Sequence, residues 1–167
     1  MTYRVLTVCT GNICRSPMAE VVLADALEKA GIDAQVDSAA VTYGEVGNPI
    51  DYRAQDVLRR AGYKVPVRAA RRMHASDFED FDLILPMTRE HAQAIARIAR
   101  QEGVDLEDPA TAQVRLYGTF TSDAPSPTSP AVDVPDPWYG GPEDFVETLE
   151  TVEDATENLV DFIRDQD

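Results

Sequence analysis

A junction near the N-terminus reads Cys9-Thr10-Gly11-Asn12-Ile13-Cys14-Arg15-Ser16-Pro17, and it decides the fold. Before it, the apolar and β-branched run Arg4–Val8 predicts a buried strand. After it, Ser16 and Pro17 predict a helix N-cap followed by proline at the first helical position, and Gly31 predicts the end of that helix. The chain therefore begins as a strand, a tight loop and a helix.

The rest of the chain repeats this alternation of strands and helices. Further strands are predicted at 34–40 and 82–85 with a weaker one near 114–117, and further helices at 51–61 and after Thr88. Such alternation indicates an α/β fold, a parallel sheet covered by helices on both faces. We expect a single domain over residues 1–167, because the length matches one domain.

The C-terminal third is first rich in proline and then acidic. Residues 124–130 predict a loop, and residues 143–165 predict a last amphipathic helix with an acidic outer face. Residues 104–167 carry 16 acidic residues against only Arg115 and Arg164, and the whole chain has a net charge of -15. This charge disfavours binding to a phosphate backbone, so we expect no nucleic-acid partner.

Composition excludes several other classes of protein. No apolar run reaches the roughly 18 residues of a membrane span, and the N-terminus does not resemble a signal peptide, so we expect a cytoplasmic protein without membrane contact. The two cysteines are too few for a secreted disulfide framework or a structural zinc site. Inert burial or thiolate chemistry remains for these two cysteines, and we expect no cofactor.

The strand-to-helix junction combines the parts of a nucleophilic anion site. It lies at the carboxyl end of the first strand, where parallel sheets bind ligands, and its helix N-terminus presents unpaired amides to an anion. Gly11 and Asn12 can take positive φ angles that turn amides inward, and Arg15 adds a planar fork for two phosphoryl oxygens. The same positive field favours the reactive thiolate of Cys9. The residues expected to bind phosphate are Thr10, Gly11, Asn12, Ile13, Cys14, Arg15 and Ser16.

Four stretches of the chain resemble the low-molecular-weight protein tyrosine phosphatases, in the same order and over nearly the whole length. They are Val8–Glu20, Asp37-Ser38-Ala39, Phe81–Leu85 and Asp136-Pro137-Trp138-Tyr139. The resemblance implies a flavodoxin-like three-layer sandwich with a four-stranded parallel sheet. It also implies hydrolysis without metal through a cysteinyl-phosphate intermediate.

Carried over position by position, the resemblance implies a role for each matched residue. Cys9 matches the nucleophile, Arg15 the phosphate-binding arginine and Asp136 the general acid. A network that supports the loop is implied for Asn12, Ser16 and Ser38.

The local sequence around Asp136 favours the same assignment. An aryl-oxide leaving group departs more easily when it is protonated, so a carboxylic acid is needed opposite the thiolate. Pro135 and Pro137 flank Asp136 and restrict its backbone. Trp138 and Tyr139 then predict an aromatic wall for the substrate ring. Ile13 and Tyr43 are further candidates for substrate specificity.

Several positions depart from the family pattern. Arg68 stands where a histidine is usual, Thr88 replaces an aspartate common after the third strand, and Ala40 stands where many members have glycine. The cluster of Arg68, Arg71 and Arg72 is expected to balance nearby acids. His91 begins a polar helix and is expected to be solvated, as is His74.

The leading interpretation is a phosphatase for phosphotyrosine in proteins, with a tyrosine kinase among the candidate substrates and a monomer as the expected state. Arsenate reductases of this fold resemble one another in carrying downstream cysteines, and none follows Cys14 here. Arginine phosphatases are distinguished by a threonine at the position of Ile13 and by fewer aromatic residues after the aspartate. A phosphotyrosine-binding module without catalysis would lack the nucleophile or the acid.

Cys14 has two interpretations that the sequence leaves open. It lies five residues after Cys9 in a loop that folds back, so it could trap oxidised Cys9 as a disulfide and protect it. Alternatively, it packs under the loop as a small apolar residue.

Overall fold

The computed structural model describes residues 1–166, which form a sheet of four strands and six α-helices around it. The strands are β1 Tyr3–Cys9, β2 Ala34–Ala40, β3 Leu83–Pro86 and β4 Gln113–Val114. The helices are α1 Arg15–Lys29, α2 Tyr52–Arg60, α3 Asp77–Asp80, α4 Arg89–Gln101, α5 Pro142–Asp154 and α6 Thr156–Arg164.

The sheet is parallel throughout and has the order β2-β1-β3-β4. This arrangement confirms the predicted flavodoxin-like α/β fold. The first strand lies inside the sheet, where Cys9 pairs with Ala40 of β2 and Val8 pairs with Pro86 of β3. The loop after β1 therefore opens at the carboxyl edge of the sheet, between two neighbouring strands.

Side chains alternate along β1 and feed two separate apolar cores. Val5 and Cys9 join the larger core, which α1, α2, α5 and α6 complete on one face of the sheet. Leu6 and Val8 join the smaller core, to which α3 and α4 contribute on the other face. Because β1 is buried on both sides, its end gives the site a rigid base.

Helix α1 begins two residues earlier than the sequence predicts. Its N-cap is Cys14, and no side chain caps the first amides, so the prediction of Ser16 as N-cap is wrong. Pro17 falls in the first turn, where an amide would lack a partner within the helix in any case. The hydroxyl of Ser16 is consequently free to contact the loop, and the first helical amides belong to the region that is predicted to bind phosphate.

The prediction of one helix over 143–165 is also wrong, because α5 and α6 meet at Ala155. The apolar positions keep helical spacing across the join, so the pattern does not reveal it. The Tyr117 hydroxyl donates to the Val152 carbonyl at 3.0 Å. In an unbroken helix that carbonyl accepts from the amide four residues later. A long-range side-chain contact thus occupies a carbonyl at the join.

The predicted strand near 114–117 is shorter than expected, since β4 ends at Val114. Tyr117–Phe120 instead form a 3-10 turn that carries the Tyr117 ring into the core, where it is fully buried. Among residues 1–166, no helix combines the length and the apolar composition of a membrane span.

Candidate active site

The loop between β1 and α1 has a left-handed residue near its centre. Asn12 has a φ of 62°, whereas Gly11 keeps a negative φ, so only one of the two expected positions is left-handed. Gly11 serves the site differently. A Cβ atom there would lie 3.0 Å from Cγ of Glu45, so a larger side chain would crowd the pocket.

The nucleophile candidate is buried at the base of this loop. The Cys9 side chain is 3% exposed, and its Sγ lies 3.0 Å from Oγ of Ser16. A hydroxyl that donates to the sulfur stabilises the thiolate over the thiol. The early start of α1 therefore gives Ser16 a role in the site that replaces the predicted cap.

A hydrogen-bond network joins the three predicted support residues. The Asn12 amide Nδ2 donates to Oγ of Ser16 and to Oγ of Ser38, both at 2.8 Å. Ser38 in turn donates to the carboxylate of Glu20 on α1. Burial raises the pKa of Glu20, and the hydrogen bond from Ser38 opposes that shift. The network ties the loop to β2 and to the helix that follows it.

Arg68 completes this network and resolves the departure from the family pattern. Its Nη1 donates to the Asn12 carbonyl at 2.9 Å, and its Nη2 donates to Asn12 Oδ1 at 2.6 Å and to Ser38 Oγ at 2.8 Å. The planar guanidinium thus binds both the backbone carbonyl and the side-chain oxygen of Asn12. Arg71, by contrast, pairs with Asp37 and Asp77, as the expected balance of acids requires.

We expect Arg68→Met to lower the kcat of phosphotyrosine hydrolysis, the activity that the resemblance implies, by roughly 10- to 100-fold. Small displacements of a reacting group reduce reaction rates by factors of this order. Methionine keeps much of the length but removes the donors to Asn12 and Ser38. Loss of a charged donor to buried oxygens should also lower the free energy of unfolding by about 2 kcal/mol. Steady-state kinetics and urea unfolding measure the two effects.

Arg59→Met is the matched control for this substitution, since the Arg59 side chain is exposed and, within residues 1–166, hydrogen-bonds only to Gln55 of its own helix. It should leave both quantities near the wild-type values. An Arg68→Met protein with unchanged kcat and stability would show that the hydrogen bonds from Arg68 to Asn12 are dispensable.

Arg15 extends from the loop towards a second segment that carries Asp136. Its side chain is buried, with Nη1 3.4 Å from the Val134 carbonyl and Nη2 3.5 Å from Asp136 Oδ2. Asp136 is half-exposed, and its Oδ1 accepts from the Trp138 amide at 3.1 Å. The two side chains that the sequence places 121 positions apart therefore meet at one pocket.

The acid-bearing segment is tied to the sheet edge at its start. The Val134 amide donates to the Met87 carbonyl at 2.9 Å, and the Asp133 carboxylate accepts from the Arg89 amide at 2.8 Å. Burial acts against ionisation of Asp133, but its hydrogen bonds from Arg89 hold the pKa below the usual range. Thr88, which replaces the common aspartate, caps α4 by accepting from the His91 amide.

A cavity of about 230 Å³ opens between the loop and this segment. It is lined from the loop by Cys9, Thr10, Gly11, Ile13, Cys14 and Arg15, and from outside it by Glu45, Asp136, Trp138 and Tyr139. Trp138 is 37% exposed and Tyr139 is 94% exposed, so the aromatic wall stands at the mouth. Larger grooves elsewhere on the surface contain neither Cys9 nor Arg15.

Tyr43 is not among the lining residues of this cavity, and Glu45 lies there in its place. The chain turns at this point, with the Val46 amide donating to the Tyr43 carbonyl. The Tyr43 ring projects outward and stacks with the Arg72 guanidinium, 4.6 Å from the ring centre. The sequence offers no local signal for Glu45, because its place depends on the turn.

Arg53 contacts the Trp138 part of the aromatic wall. Its Nη1 donates to the Trp138 carbonyl at 3.1 Å, and its guanidinium lies 5.2 Å from the Trp138 ring centre. The buried carboxylate of Asp51 accepts from the same guanidinium at 3.1 Å. This contribution of α2 to the site was not predicted from the sequence.

His91 is buried, and the prediction that it is solvated is wrong. Its ring is 3% exposed, and Nε2 lies 2.8 Å from Oγ1 of Thr10. The polar helix pattern misled because the ring turns away from solvent, towards the loop. Cys14 is buried as well. Burial raises the pKa of its thiol, and the negative charges of Asp51 and Cys9 raise it further.

Comparison with known proteins agrees with this geometry. The family model described as low molecular weight phosphotyrosine protein phosphatase matches residues 4–167. The chain is 40% identical over 168 residues to a low molecular weight protein-tyrosine-phosphatase of Streptomyces coelicolor, covering 99% of this chain and 96% of the relative. It is also 40% identical over 158 residues to low molecular weight protein-tyrosine phosphatase A of Mycobacterium tuberculosis, covering 93% and 88%.

A solved structure supports the same relationship. The crystal structure of YfkJ from Bacillus subtilis superposes with a TM-score of 0.84 at 30% identity, covering 99% of this chain and 97% of that one. The chain therefore belongs to the family of low molecular weight phosphotyrosine protein phosphatases.

Proposed function

We propose that this protein hydrolyses phosphotyrosine in protein substrates through a cysteinyl-phosphate intermediate. The observation that carries the proposal is the convergence of Cys9, Arg15 and Asp136 on one cavity with an aromatic wall. These three residues supply a nucleophile, a clamp for phosphoryl oxygens and a proton donor. The following steps assign each a role.

In the first step, the loop amides and the Arg15 fork hold the phosphoryl group over the Cys9 sulfur. The thiolate attacks phosphorus, and a bond forms between sulfur and phosphorus as the bond to the tyrosine oxygen breaks. Asp136 gives its proton to that oxygen, so a neutral phenol leaves. The amides and guanidinium neutralise charge that spreads over the equatorial oxygens.

In the second step, water attacks the phosphorus of the cysteinyl phosphate from the side that the phenol has left. Asp136, now ionised, accepts a proton from this water. The bond between sulfur and phosphorus breaks and returns the Cys9 thiolate, which the Ser16 hydroxyl stabilises from 3.0 Å away. Inorganic phosphate is released.

The aromatic wall supports an aryl substrate. A tyrosine ring entering the cavity can stack on Trp138, whose carbonyl and ring are both in contact with Arg53. Phosphoserine and phosphothreonine lack a ring that could stack on this wall. A phosphorylated tyrosine kinase is one substrate of the required chemistry.

A panel of phosphopeptides tests the function. Peptides matched in sequence and carrying phosphotyrosine, phosphoserine, phosphothreonine or phosphoarginine are compared by phosphate release, beside arsenate with a thiol reductant. We expect phosphotyrosine to exceed the others by on the order of 10²-fold or more in kcat/KM, since only it fills the aromatic wall. Preference for phosphoarginine or reduction of arsenate would replace the proposal with the corresponding alternative.

The redox role of Cys14 gives a further prediction, in which peroxide is the oxidant. Peroxide converts the Cys9 thiolate to sulfenic acid, and attack by the Cys14 thiolate then forms the disulfide and expels hydroxide. Because the pKa of Cys14 is raised by burial, its thiolate fraction rises about tenfold per pH unit across neutrality. Disulfide formation after a peroxide pulse should therefore accelerate from pH 6 to pH 8.

Mass spectrometry of quenched samples measures this disulfide, and dithiothreitol should restore activity to wild-type protein. Cys14→Ser should instead lose activity irreversibly under the same pulse. If Cys14→Ser recovers as fully as wild type, Cys14 is only a packing residue.

A further inference from the structure

The imidazole of His91 contacts the first residue of the phosphate-binding loop, Thr10, and has no part in the steps above. His91 is the third residue of α4, and its backbone amide donates to the capping hydroxyl of Thr88 at 3.2 Å. This places the ring under the first residue of the phosphate-binding loop. The ring is 3% exposed, so its polar atoms depend on protein partners.

Only one nitrogen of the His91 ring has such a partner. Nε2 lies 2.8 Å from Thr10 Oγ1, whereas Nδ1 is buried without a hydrogen-bond partner among residues 1–166. Burial lowers the pKa of His91 to about 4, and the positive charge of Arg15 adds to this, against the opposing charges of Asp136 and Asp133. The imidazole is therefore neutral at neutral pH and carries one proton.

The partners decide which nitrogen carries that proton. A buried N–H without an acceptor is rarer in proteins than a buried acceptor without a donor. The proton therefore belongs on Nε2, which donates to Thr10, and Nδ1 is the bare nitrogen. Thr10 Oγ1 then acts as acceptor, which leaves the proton of its own hydroxyl free.

The backbone of Thr10 is fixed by Thr42. Its carbonyl accepts from the Thr42 amide at 3.2 Å and from the Thr42 hydroxyl at 2.9 Å. Thr10 directly follows Cys9, is exposed, and lines the cavity. A hydroxyl that accepts from a buried imidazole, sits on a fixed backbone and keeps an unused donor at a phosphate cavity is suited to bind an anion.

We propose that Thr10 binds the phosphoryl group through its hydroxyl and that His91 is the positioning residue that orients this hydroxyl. The proposal rests on the proposed function, because it assigns a side-chain donor to the same site. If backbone amides alone held the phosphate, substitutions of Thr10 and His91 would affect phosphate binding independently of each other. The proposal requires that they act as one unit.

Inorganic phosphate is the probe, and the Cys9→Ser protein is the parent, so that binding is measured by calorimetry without turnover. Thr10→Val removes the hydroxyl and His91→Leu removes the donor that orients it. Each should weaken phosphate binding by about 10-fold, the value of one hydrogen bond to a charged group. The double variant should bind phosphate no more weakly than whichever single variant binds it more weakly.

Conservative variants separate orientation from packing. Thr10→Ser keeps the hydroxyl, and His91→Gln places an amide donor near the position of Nε2, so both should bind phosphate nearly as well as the parent. Phosphate affinity that is unchanged in Thr10→Val, or losses that add in the double variant, would overturn the proposal while the proposed function stands. A Cys9→Ser parent that binds no phosphate would overturn both.

Discussion

Replacing Cys9 with serine is expected to abolish turnover while phosphate binding stays measurable. The serine hydroxyl remains protonated at neutral pH and cannot displace the tyrosine oxygen as the thiolate does. We expect kcat to fall by at least on the order of 10⁴-fold, the range found when a nucleophile is removed. Phosphate binding should persist because the groups expected to hold phosphate, the loop amides and Arg15, are unchanged in this variant.

The measurement combines phosphate release from a phosphotyrosine peptide with mass spectrometry of acid-quenched enzyme. Wild type should show a phosphoryl adduct on Cys9, and Cys9→Ser should show none. Vanadate binding and the unfolding midpoint of the variant serve as controls for an intact loop. Substantial residual turnover would exclude a covalent mechanism at Cys9 even if the fold is unchanged.

The sequence predicts the parts of this site that lie close together along the chain. A strand, a tight loop and a helix follow one another over Arg4–Gly31, so their signals are local. The same stretch contains Cys9 and Arg15, and the structure brings both to one cavity. The parallel sheet was predictable for the same reason, since each strand and helix carries its own apolar pattern.

Long-range contacts were harder to predict because they depend on how the elements pack. Arg68 is separated from Asn12 by 56 positions, and only the packed loop shows that its guanidinium bonds to that residue. His91 and Glu45 are missed for the same reason, since neither has a motif around it. Tyr117 donates to a carbonyl near the join of α5 and α6, where the periodicity predicts one continuous helix.

Asp136 lies between these two cases. Its position between two prolines and before two aromatic residues singles it out among the acidic residues of the C-terminal third, although 121 positions separate it from Arg15. The structure places its carboxylate 3.5 Å from that arginine. Its role as general acid stays a prediction, and it is open to a kinetic test that geometry alone does not provide.

Asp136→Asn is expected to slow phosphates with poor leaving groups far more than those with good ones. Asparagine cannot donate a proton to the departing oxygen, but its Oδ1 can still accept from the Trp138 amide, so the segment should keep its shape. General acids typically contribute on the order of 10²- to 10⁴-fold, and we expect a loss in this range for phosphotyrosine peptides. Nitrophenyl phosphate, whose phenolate leaves without protonation, should lose much less.

A series of substituted phenyl phosphates measures this dependence, as the slope of log kcat against the leaving-group pKa. Asp136→Asn should make that slope more negative than in wild type, since negative charge then builds up on the departing oxygen. Asp123→Asn is the matched control, because it removes an exposed carboxylate from the same acidic third and should leave the slope unchanged. Equal losses for all leaving groups in Asp136→Asn would make Asp136 a structural residue, and the proton would then have to come from another group.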